Sequence, residues 1–299
     1  MRFLVTGVSG QIGSEAVRRF SELGKVVAAD RSVLDLSRPS TLAASLDALA
    51  PDVIINPAAY TAVDRAEDER DLAFTVNADS PGVMATWAAR HKVPFMHLST
   101  DYVFDGSGER PWREDDPVAP LSAYGASKLA GEEQVRSAAG PHLIVRTSWI
   151  YSASGTNFLR TISRLAREKE ELKIVDDQIG APTSAASVAD ILAAIVRNNA
   201  SDLASAFAAA RGTIHVTAGG HTSWHGFALE IVEGLRRHGV ALAVRRLLPI
   251  STKEYPTKAA RPLNSRLDLT RLGDVFQLSP KPWQTLLEPE IDALNAPQP

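Results

Sequence analysis

Phe3-Leu4-Val5-Thr6-Gly7-Val8-Ser9-Gly10-Gln11-Ile12-Gly13 lies almost at the start of the chain. A short apolar run leads into glycines spaced Gly-x-x-Gly-x-x-Gly, and apolar residues then recur at helical spacing over Ile12–Leu23. That order predicts a strand, a tight turn and a helix. In this context the turn reads as a site for a dinucleotide. Gly7 permits the turn, Gly10 lets the backbone approach a pyrophosphate, and Gly13 allows the helix to pack closely on the strand. The helix N-terminus offers free N–H groups and the positive end of its dipole, so Gln11 and Ile12 join the expected cofactor contacts. Glycines of an ordinary turn can share the spacing; the strand before and the helix after separate the two readings.

Working outward, short apolar runs at Val26–Ala29, Val53–Asn56, Phe95–Ser99 and Leu143–Arg146 alternate with helical patterns at Thr41–Leu49, Leu72–Arg90 and Lys128–Val135. Such alternation builds a parallel sheet covered by helices, with right-handed crossovers, so the expected fold is α/β, a Rossmann-type doubly wound parallel sheet. Beyond Trp149 the rhythm loosens. Ser152–Asn157 reads as a polar loop, Ile174–Val175 and Ile214–Val216 as strands, and Val188–Val196, Trp224–Arg237 and a segment near Trp283–Leu294 as helices. Ala204–Ala210 reads as a surface helix and Pro249–Pro262 as a proline-punctuated connection. The expected division is a dinucleotide-binding domain over residues 1–150, with elements near 185–218 returning to it. Residues 151–184 and 219–299 would then form a smaller mixed α/β substrate lobe.

The chain has 299 residues, long enough for one large domain and an added lobe. With 44% hydrophobic and 22% charged residues and a formal net charge of -3, it offers no broad basic surface for nucleic acid or an anionic membrane. It has no cysteine, which removes disulfides, thiolate metal sites and thiol nucleophiles. Met1 runs straight into the first strand without a secretory-type segment, and no apolar run approaches the roughly 20 residues that cross a bilayer. A soluble, cytoplasmic protein is the expectation.

The second strand ends at Ala29, followed by Asp30 and Arg31 near the position where an acidic residue meets the adenosine ribose. Asp30 accepting from ribose hydroxyls favours NADH, whereas Arg31 pairing with a 2′-phosphate favours NADPH. A plain turn-starting role for Asp30 stands beside both. Further along, Tyr124 and Lys128 are spaced i, i+4 in Ser122-Ala123-Tyr124-Gly125-Ala126-Ser127-Lys128, which places them on one helix face. An ammonium beside a phenol favours the phenolate, so the Tyr124 pKa is expected to fall toward the working pH and make it a proton donor or acceptor. Lys128 keeps donors for a cofactor ribose. A solvated Tyr and Lys would show the same spacing. The pair, however, follows Leu98-Ser99-Thr100-Asp101-Tyr102-Val103-Phe104-Asp105-Gly106, which sets hydroxyls at the carboxyl end of the sheet, where ligands of open α/β sheets bind. Thr100 is the expected donor to a substrate carbonyl, with Ser99 as its competitor. Either hydroxyl could instead only satisfy loop backbone.

The glycine turn, the Ser99–Gly106 segment and the Tyr124–Lys128 pair resemble an extended short-chain dehydrogenase. More narrowly, the chain is similar over nearly its full length to the dTDP-4-dehydrorhamnose reductases. The specific marks are Asn56-Pro57-Ala58-Ala59-Tyr60-Thr61-Ala62-Val63-Asp64 with Glu67, Arg146-Thr147-Ser148-Trp149-Ile150-Tyr151, Asp177-Gln178-Ile179-Gly180-Ala181-Pro182-Thr183 and Arg261-Pro262-Leu263-Asn264-Ser265-Arg266-Leu267. The resemblance implies hydride delivery from NADPH, or NADH, to C4 of dTDP-4-dehydro-L-rhamnose. It implies that Tyr124 protonates the alkoxide, Lys128 holds the ribose and Thr100 binds the C4 oxygen. It places Asn56, Ala58, Ala59 and Tyr60 in the cofactor cleft, Asp101, Tyr102 and Trp149 at the sugar, and Arg261 and Arg266 at the nucleotide diphosphate. By themselves Trp149 reads equally as a core aromatic and the two arginines as surface residues.

Some members of that family dimerise through a magnesium site made by glutamates. Glu15 stands at one matching place, but Ala186 occupies another, so a metal-linked dimer is not expected. His221 and His225 share a helical spacing without a glutamate between them, and no metal site is assigned. Two other classes keep part of the pattern. A non-catalytic regulatory subunit similar to the β subunit of methionine adenosyltransferase would not need an intact Thr100, Tyr124 and Lys128. An epimerase or dehydratase that retains NAD belongs to the same fold, but dehydratases carry a glutamate after the aspartate, a position that Tyr102 fills here.

Overall fold

The computed structural model describes residues 1–296. The first half alternates strand and helix: β1 (Arg2–Thr6), α1 (Gln11–Ser21), β2 (Lys25–Ala29), α2 (Pro39–Leu49), β3 (Val53–Asn56), α3 (Arg70–Phe74), α4 (Ser80–His91), β4 (Phe95–Thr100), α5 (Ala123–Ser137) and β5 (His142–Thr147). Then follow β6 (Ile150–Tyr151), α6 (Phe158–Glu168), β7 (Glu171–Val175), β8 (Ile179–Gly180), β9 (Thr183–Ser184), α7 (Ala185–Asn198), α8 (Leu203–Ala209), β10 (Thr213–His215), β11 (Thr222–Ser223), α9 (Trp224–Arg237), β12 (Arg246–Ile250), α10 (Thr270–Phe276) and α11 (Trp283–Asn295). No helix among the described residues is long and apolar enough to cross a membrane.

A six-stranded sheet in the order β10-β5-β4-β3-β1-β2 forms the centre; it is parallel, as the alternation predicts. Successive side chains of its strands enter opposite cores, because a pleated strand points alternate residues to opposite faces. Phe3, Val5, Ile55, Met96 and Val145 meet α1, α7 and α8; Leu4, Ile54, Phe95 and Ile144 meet α2 and α4. From β1 the chain moves one way to β2 and then the other way to β3, β4 and β5. The switch point, where ligands of such sheets bind, therefore lies beyond the carboxyl ends of β1 and β3.

A third core, built round Tyr151, Phe227, Trp283 and Ile291, joins α6, α9 and α11. The helix α6 was not expected from the sequence, although Phe158, Leu159, Ile162, Leu165 and Ala166 supply its apolar stripe. Pro249 lies inside β12, paired with Ile174 of β7. A two-stranded ladder leaves each strand a free edge, so the missing proline N–H is tolerated. The expected continuous helix Leu72–Arg90 is broken by a π turn at Thr75–Asp79. There Asn77 turns inward and donates to Tyr60 O (3.0 Å) and to Ser127 Oγ (2.9 Å).

The register of α5 over β4 is fixed by buried polar contacts. His97 and Ser99, two apart on one face of β4, meet Lys128 and Glu132, four apart on one face of α5: His97 Nε2 is 3.3 Å from Lys128 Nζ and Ser99 donates to Glu132 Oε1 at 2.6 Å. Glu132 has no solvent exposure and also accepts from Arg146 at 2.8 and 2.7 Å and from Arg136 at 2.7 Å. Burial opposes its charge, but these partners outweigh burial and hold the carboxyl below its ordinary range. Removing one member of such a buried pair strands the other. We expect Glu132→Gln to lower stability by about 3–5 kcal/mol, read as a shift in the urea midpoint at unchanged slope; a loss under about 1 kcal/mol would show that α5 is held by packing alone.

Candidate active site

An open cleft of about 830 Å³ runs along the switch point, from the glycine turn past Tyr124 to Trp149, Gly155 and Thr156. At one end the chain leaves β1 with Gly7 at φ +58°, in the left-handed region that favours glycine, and a Cβ there would stand 2.8 Å from Ala58 Cα. A Cβ at Gly13 would stand 2.1 Å from Gly7 O, so the first turn of α1 presses against the loop with no room for a side chain. No side chain caps α1 at Gly10, which leaves its first N–H groups free toward the cleft that Gly10, Gln11, Ile12 and Gly13 line. The Gln11 side chain turns instead to the loop Ser152–Asn157, accepting from Ser152 Oγ (3.0 Å) and Asn157 Nδ2 (2.9 Å).

Asp30 and Arg31 both line the cleft and are exposed. One Asp30 oxygen, Oδ1, is used by the turn, accepting from Ser32 N (2.8 Å) and Ser32 Oγ (2.6 Å); those bonds hold its pKa below the ordinary value. Ala58, Ala59 and Tyr60 line the cleft beyond β3. Asn56 does not, contrary to expectation. It is fully buried beneath the loop, 2.6 Å from Thr6 Oγ1 through Oδ1 and 3.0 Å from His97 Nδ1 through Nδ2.

In the middle of the cleft, Tyr124 and Lys128 face it from α5 and Thr100 from the end of β4. Ser122 and Glu67 fix the start of α5 by accepting from Gly125 N (3.2 Å) and Ala123 N (2.8 Å). Gly125 lets that turn approach the strand end, since a Cβ there would lie 2.2 Å from Tyr102 O. The Thr100 hydroxyl accepts from Tyr102 N (3.2 Å) and donates to Asp101 Oδ1 (3.1 Å). Ser99, its competitor, is committed to Glu132 on the α5 side.

The expected lowering of the Tyr124 pKa is not found. Burial pushes the phenol up to about 12, the Thr100 hydroxyl opposing, because the Lys128 ammonium is engaged elsewhere. Lys128 is 2% exposed and its Nζ donates to Leu98 O at 2.6 Å while facing His97 Nε2. Burial lowers the Lys128 pKa to about 8, with Glu132 opposing. Burial likewise raises Asp101 to about 6.

At the far end, Tyr102 stacks edge-on to Tyr124 at 5.6 Å between centroids. Trp149 holds a positive φ of 50°, and its ring lies on Trp224 at 3.6 Å while also lining the cleft. Trp149 is thus half-buried between a neighbouring ring and the cleft. Neither expected arginine lines the cleft. Arg261 donates through Nη2 to Asp64 (2.6 Å), its buried Nη1 keeping no partner, and Arg266 donates through Nε to Asn264 Oδ1 (2.8 Å).

Residues that sequence reasoning passed over include His97, Asn77, Glu132 and Trp224, whose placement depends on pairing across elements. Thr147 and Ser148 line the cleft with buried hydroxyls lacking any partner, as does Asp101 through Oδ2. Orphaned polar atoms at a cleft wall, with an uncapped helix and a glycine cradle at the other end, fit a phosphate-bearing cofactor and a polyhydroxylated substrate. No group of three potential metal ligands occurs among the described residues.

Residues 1–296 match the family described as the RmlD substrate binding domain. A dTDP-4-dehydrorhamnose reductase of Burkholderia thailandensis is 48% identical over 290 residues, covering 95% of this chain and 96% of the relative. A protein of the same name from Escherichia coli K12 is 41% identical, covering 95% of both chains. The crystal structure of a dTDP-4-dehydrorhamnose reductase from Clostridium acetobutylicum superposes with a TM-score of 0.89 at 36% identity, covering 99% of this chain and all, 100%, of that one. One from Bacillus anthracis in complex with NADP superposes with a TM-score of 0.86 at 34% identity, covering 97% of this chain and 98% of that one. With matching sequence and matching fold over almost the whole length, the chain belongs to the dTDP-4-dehydrorhamnose reductase family.

Proposed function

We propose that the chain catalyses the NADPH-dependent reduction of the C4 keto group of dTDP-4-dehydro-L-rhamnose to dTDP-L-rhamnose, with the proton supplied by Tyr124. The family is one of NAD(P)H-dependent oxidoreductases, and its Bacillus anthracis member was crystallised with NADP. The observation that carries the reading is the meeting of the Thr100 and Tyr124 hydroxyls above a buried Lys128, in a cleft whose other end is the glycine cradle.

When bound, the cofactor supplies the hydride. The chain then has to orient, exclude water and deliver one proton. Residues 1–150, with α7, α8 and β10, form the dinucleotide side in this reading; residues 151–184 and 219–299 form the sugar side. The free N–H groups of α1 take the pyrophosphate, and Arg31 takes a 2′-phosphate. Besides its bond to Leu98 O and its contact with His97, Lys128 has one further Nζ proton, and in this reading that proton reaches the ribose.

Tyr124, held at about 12, is protonated at the start, which is the state that reduction requires. As charge grows on the C4 oxygen, Tyr124 gives its proton to it and Thr100 donates a hydrogen bond. The phenolate left behind is favoured by the Lys128 charge. Asp101 Oδ2 accepts from a sugar hydroxyl, and Trp149 packs against the ring. No metal takes part in this reading, and a homodimer would form without one.

Purified protein mixed with NADPH and the keto-sugar nucleotide should consume the nicotinamide absorbance. Binding without turnover would point to the regulatory-subunit reading instead. Tyr124→Phe should lower kcat by about 10²–10⁴-fold while NADPH affinity changes less than about twofold; near-normal turnover would remove Tyr124 from the mechanism. The pH dependence has a worked sign. The Lys128 charge, lowered to about 8, is lost as pH rises through 8, and the Asp101 carboxylate, raised to about 6, is lost as pH falls through 6. A bell-shaped kcat with limbs near those values is expected, and a profile flat between about pH 5 and 9 would separate both groups from the reaction.

A further inference from the structure

His97 is an imidazole with no solvent exposure, on the inner face of β4, that the proposed chemistry does not use. It sits in a continuous chain of buried polar groups. The Ala58 N–H donates to Thr6 Oγ1 at 3.2 Å, and Thr6 donates to Asn56 Oδ1 at 2.6 Å. Asn56 Nδ2 meets His97 Nδ1 at 3.0 Å, and His97 Nε2 meets Lys128 Nζ at 3.3 Å. An amide N–H can only donate, so Nδ1 accepts, the ring proton lies on Nε2, and the whole chain points its donors at Nζ. That direction is satisfied only when Nζ is a free amine with a lone pair to offer.

An ammonium at Nζ requires the reverse. Turning the Asn56 amide end for end exchanges its oxygen and nitrogen without changing its shape. Nδ1–H then donates to the amide oxygen, and Nε2 accepts from the ammonium. His97 holds one proton in both states, and the single proton gained resides on Nζ. Burial keeps the ring neutral, with the Lys128 charge acting in the same direction.

We propose that His97 is a positioning residue that matches its tautomer to the charge of Lys128, and through Asn56 and Thr6 ties that charge to the cofactor turn at Ala58. The kinetic arm of the inference rests on the reductase reading; the spectroscopic arm does not. The ionisable groups on elements packed round Lys128 are His97 on β4, Asp101 and Tyr102 on the turn after it, Tyr124 and Glu132 on α5, and Arg146 on β5. Of these Glu132 alone adds a charge effect at Nζ, and Arg146 and Arg136 cover it. The reversed direction leaves the Thr6 hydroxyl proton without its Asn56 acceptor, so the empty site leans toward the amine, as burial does.

The decisive measurement is ¹⁵N NMR of the intact protein with labelled histidine. The chain has seven histidines, and the His97 signals are assigned by their loss in His97→Gln. An exchange of the proton between Nε2 and Nδ1 is expected as pH passes through the Lys128 titration, without imidazolium shifts. One tautomer throughout pH 6–10, or a charged ring, would overturn the proposal. In kinetics, a hydrogen bond to a charged group is worth more than one to a neutral group, so His97→Leu disfavours the ammonium more than the amine. The basic limb of kcat should move down by about one pH unit, and His97→Gln, which keeps an acceptor, should restore most of it. Both variants retaining the parental limb would overturn the relay, while an active Tyr124→Phe would overturn the reductase reading and leave the NMR result to stand by itself. If His97→Gln fails to fold, the buried ring is assigned by its absence of solvent exchange and its contact to labelled Lys128, and the tautomer test remains.

Discussion

A lysine ammonium taken out of water is tolerated only where fixed acceptors replace the solvent. Lys128 finds one on β4 at Leu98 O, with the His97 ring beside it. This contact dictates how α5 lies across the strand. The next turn of the helix must then bring Glu132 to Ser99, and Glu132 in turn collects Arg146 from β5. With the helix pinned at both places, Tyr124 has no freedom to sit elsewhere than beside the end of β4. Close approach is what makes the pinning possible. Gly125 lies where a Cβ would strike Tyr102 O, and Gly131 where one would strike Asn77 O at 2.0 Å.

The same constraint reaches the nucleotide end. The strand that carries His97 neighbours β3, whose last residue Asn56 supports the loop at Ala58, and Ala58 is the residue against which Gly7 closes. A displacement of α5 would therefore be felt at the glycine turn, through hydrogen bonds that have no water to replace them. The Tyr124 end and the glycine-turn end of the cleft share one buried polar spine.

The parallel sheet was legible in the sequence because each strand is an apolar run with turn residues after it, and because helical patterns alternate with the strands. Tyr124, Lys128 and Thr100 were legible because they lie within or beside one helix and one strand end. The Tyr124 acidity was not. Spacing put an ammonium on its helix face, but the ammonium faces inward to β4, and burial raised the phenol instead. Asn56 and the two arginines were misplaced for a related reason: a polar residue next to a cleft is drawn to the nearest unsatisfied partner, and His97, Asp64 and Asn264 are long-range neighbours that local pattern cannot show. The π turn at Thr75–Asp79 was hidden because its apolar residues keep a helical spacing on either side.

Thr100 ends the chain of reasoning about specificity. Its hydroxyl proton is directed at Asp101 Oδ1, and Asp101 Oδ2 is already without a partner. To donate to a carbonyl oxygen, Thr100 must release Asp101, leaving a buried carboxylate one hydrogen bond poorer. That loss is offset only if the same molecule presents a hydroxyl to Asp101 as its carbonyl reaches Thr100 and Tyr124. A simple ketone cannot make the exchange, whereas a keto sugar with a hydroxyl near the carbonyl can. In the proposed reductase reading that discrimination resides in an adjacent threonine and aspartate on one strand end, and it follows from the hydrogen bonds each must exchange.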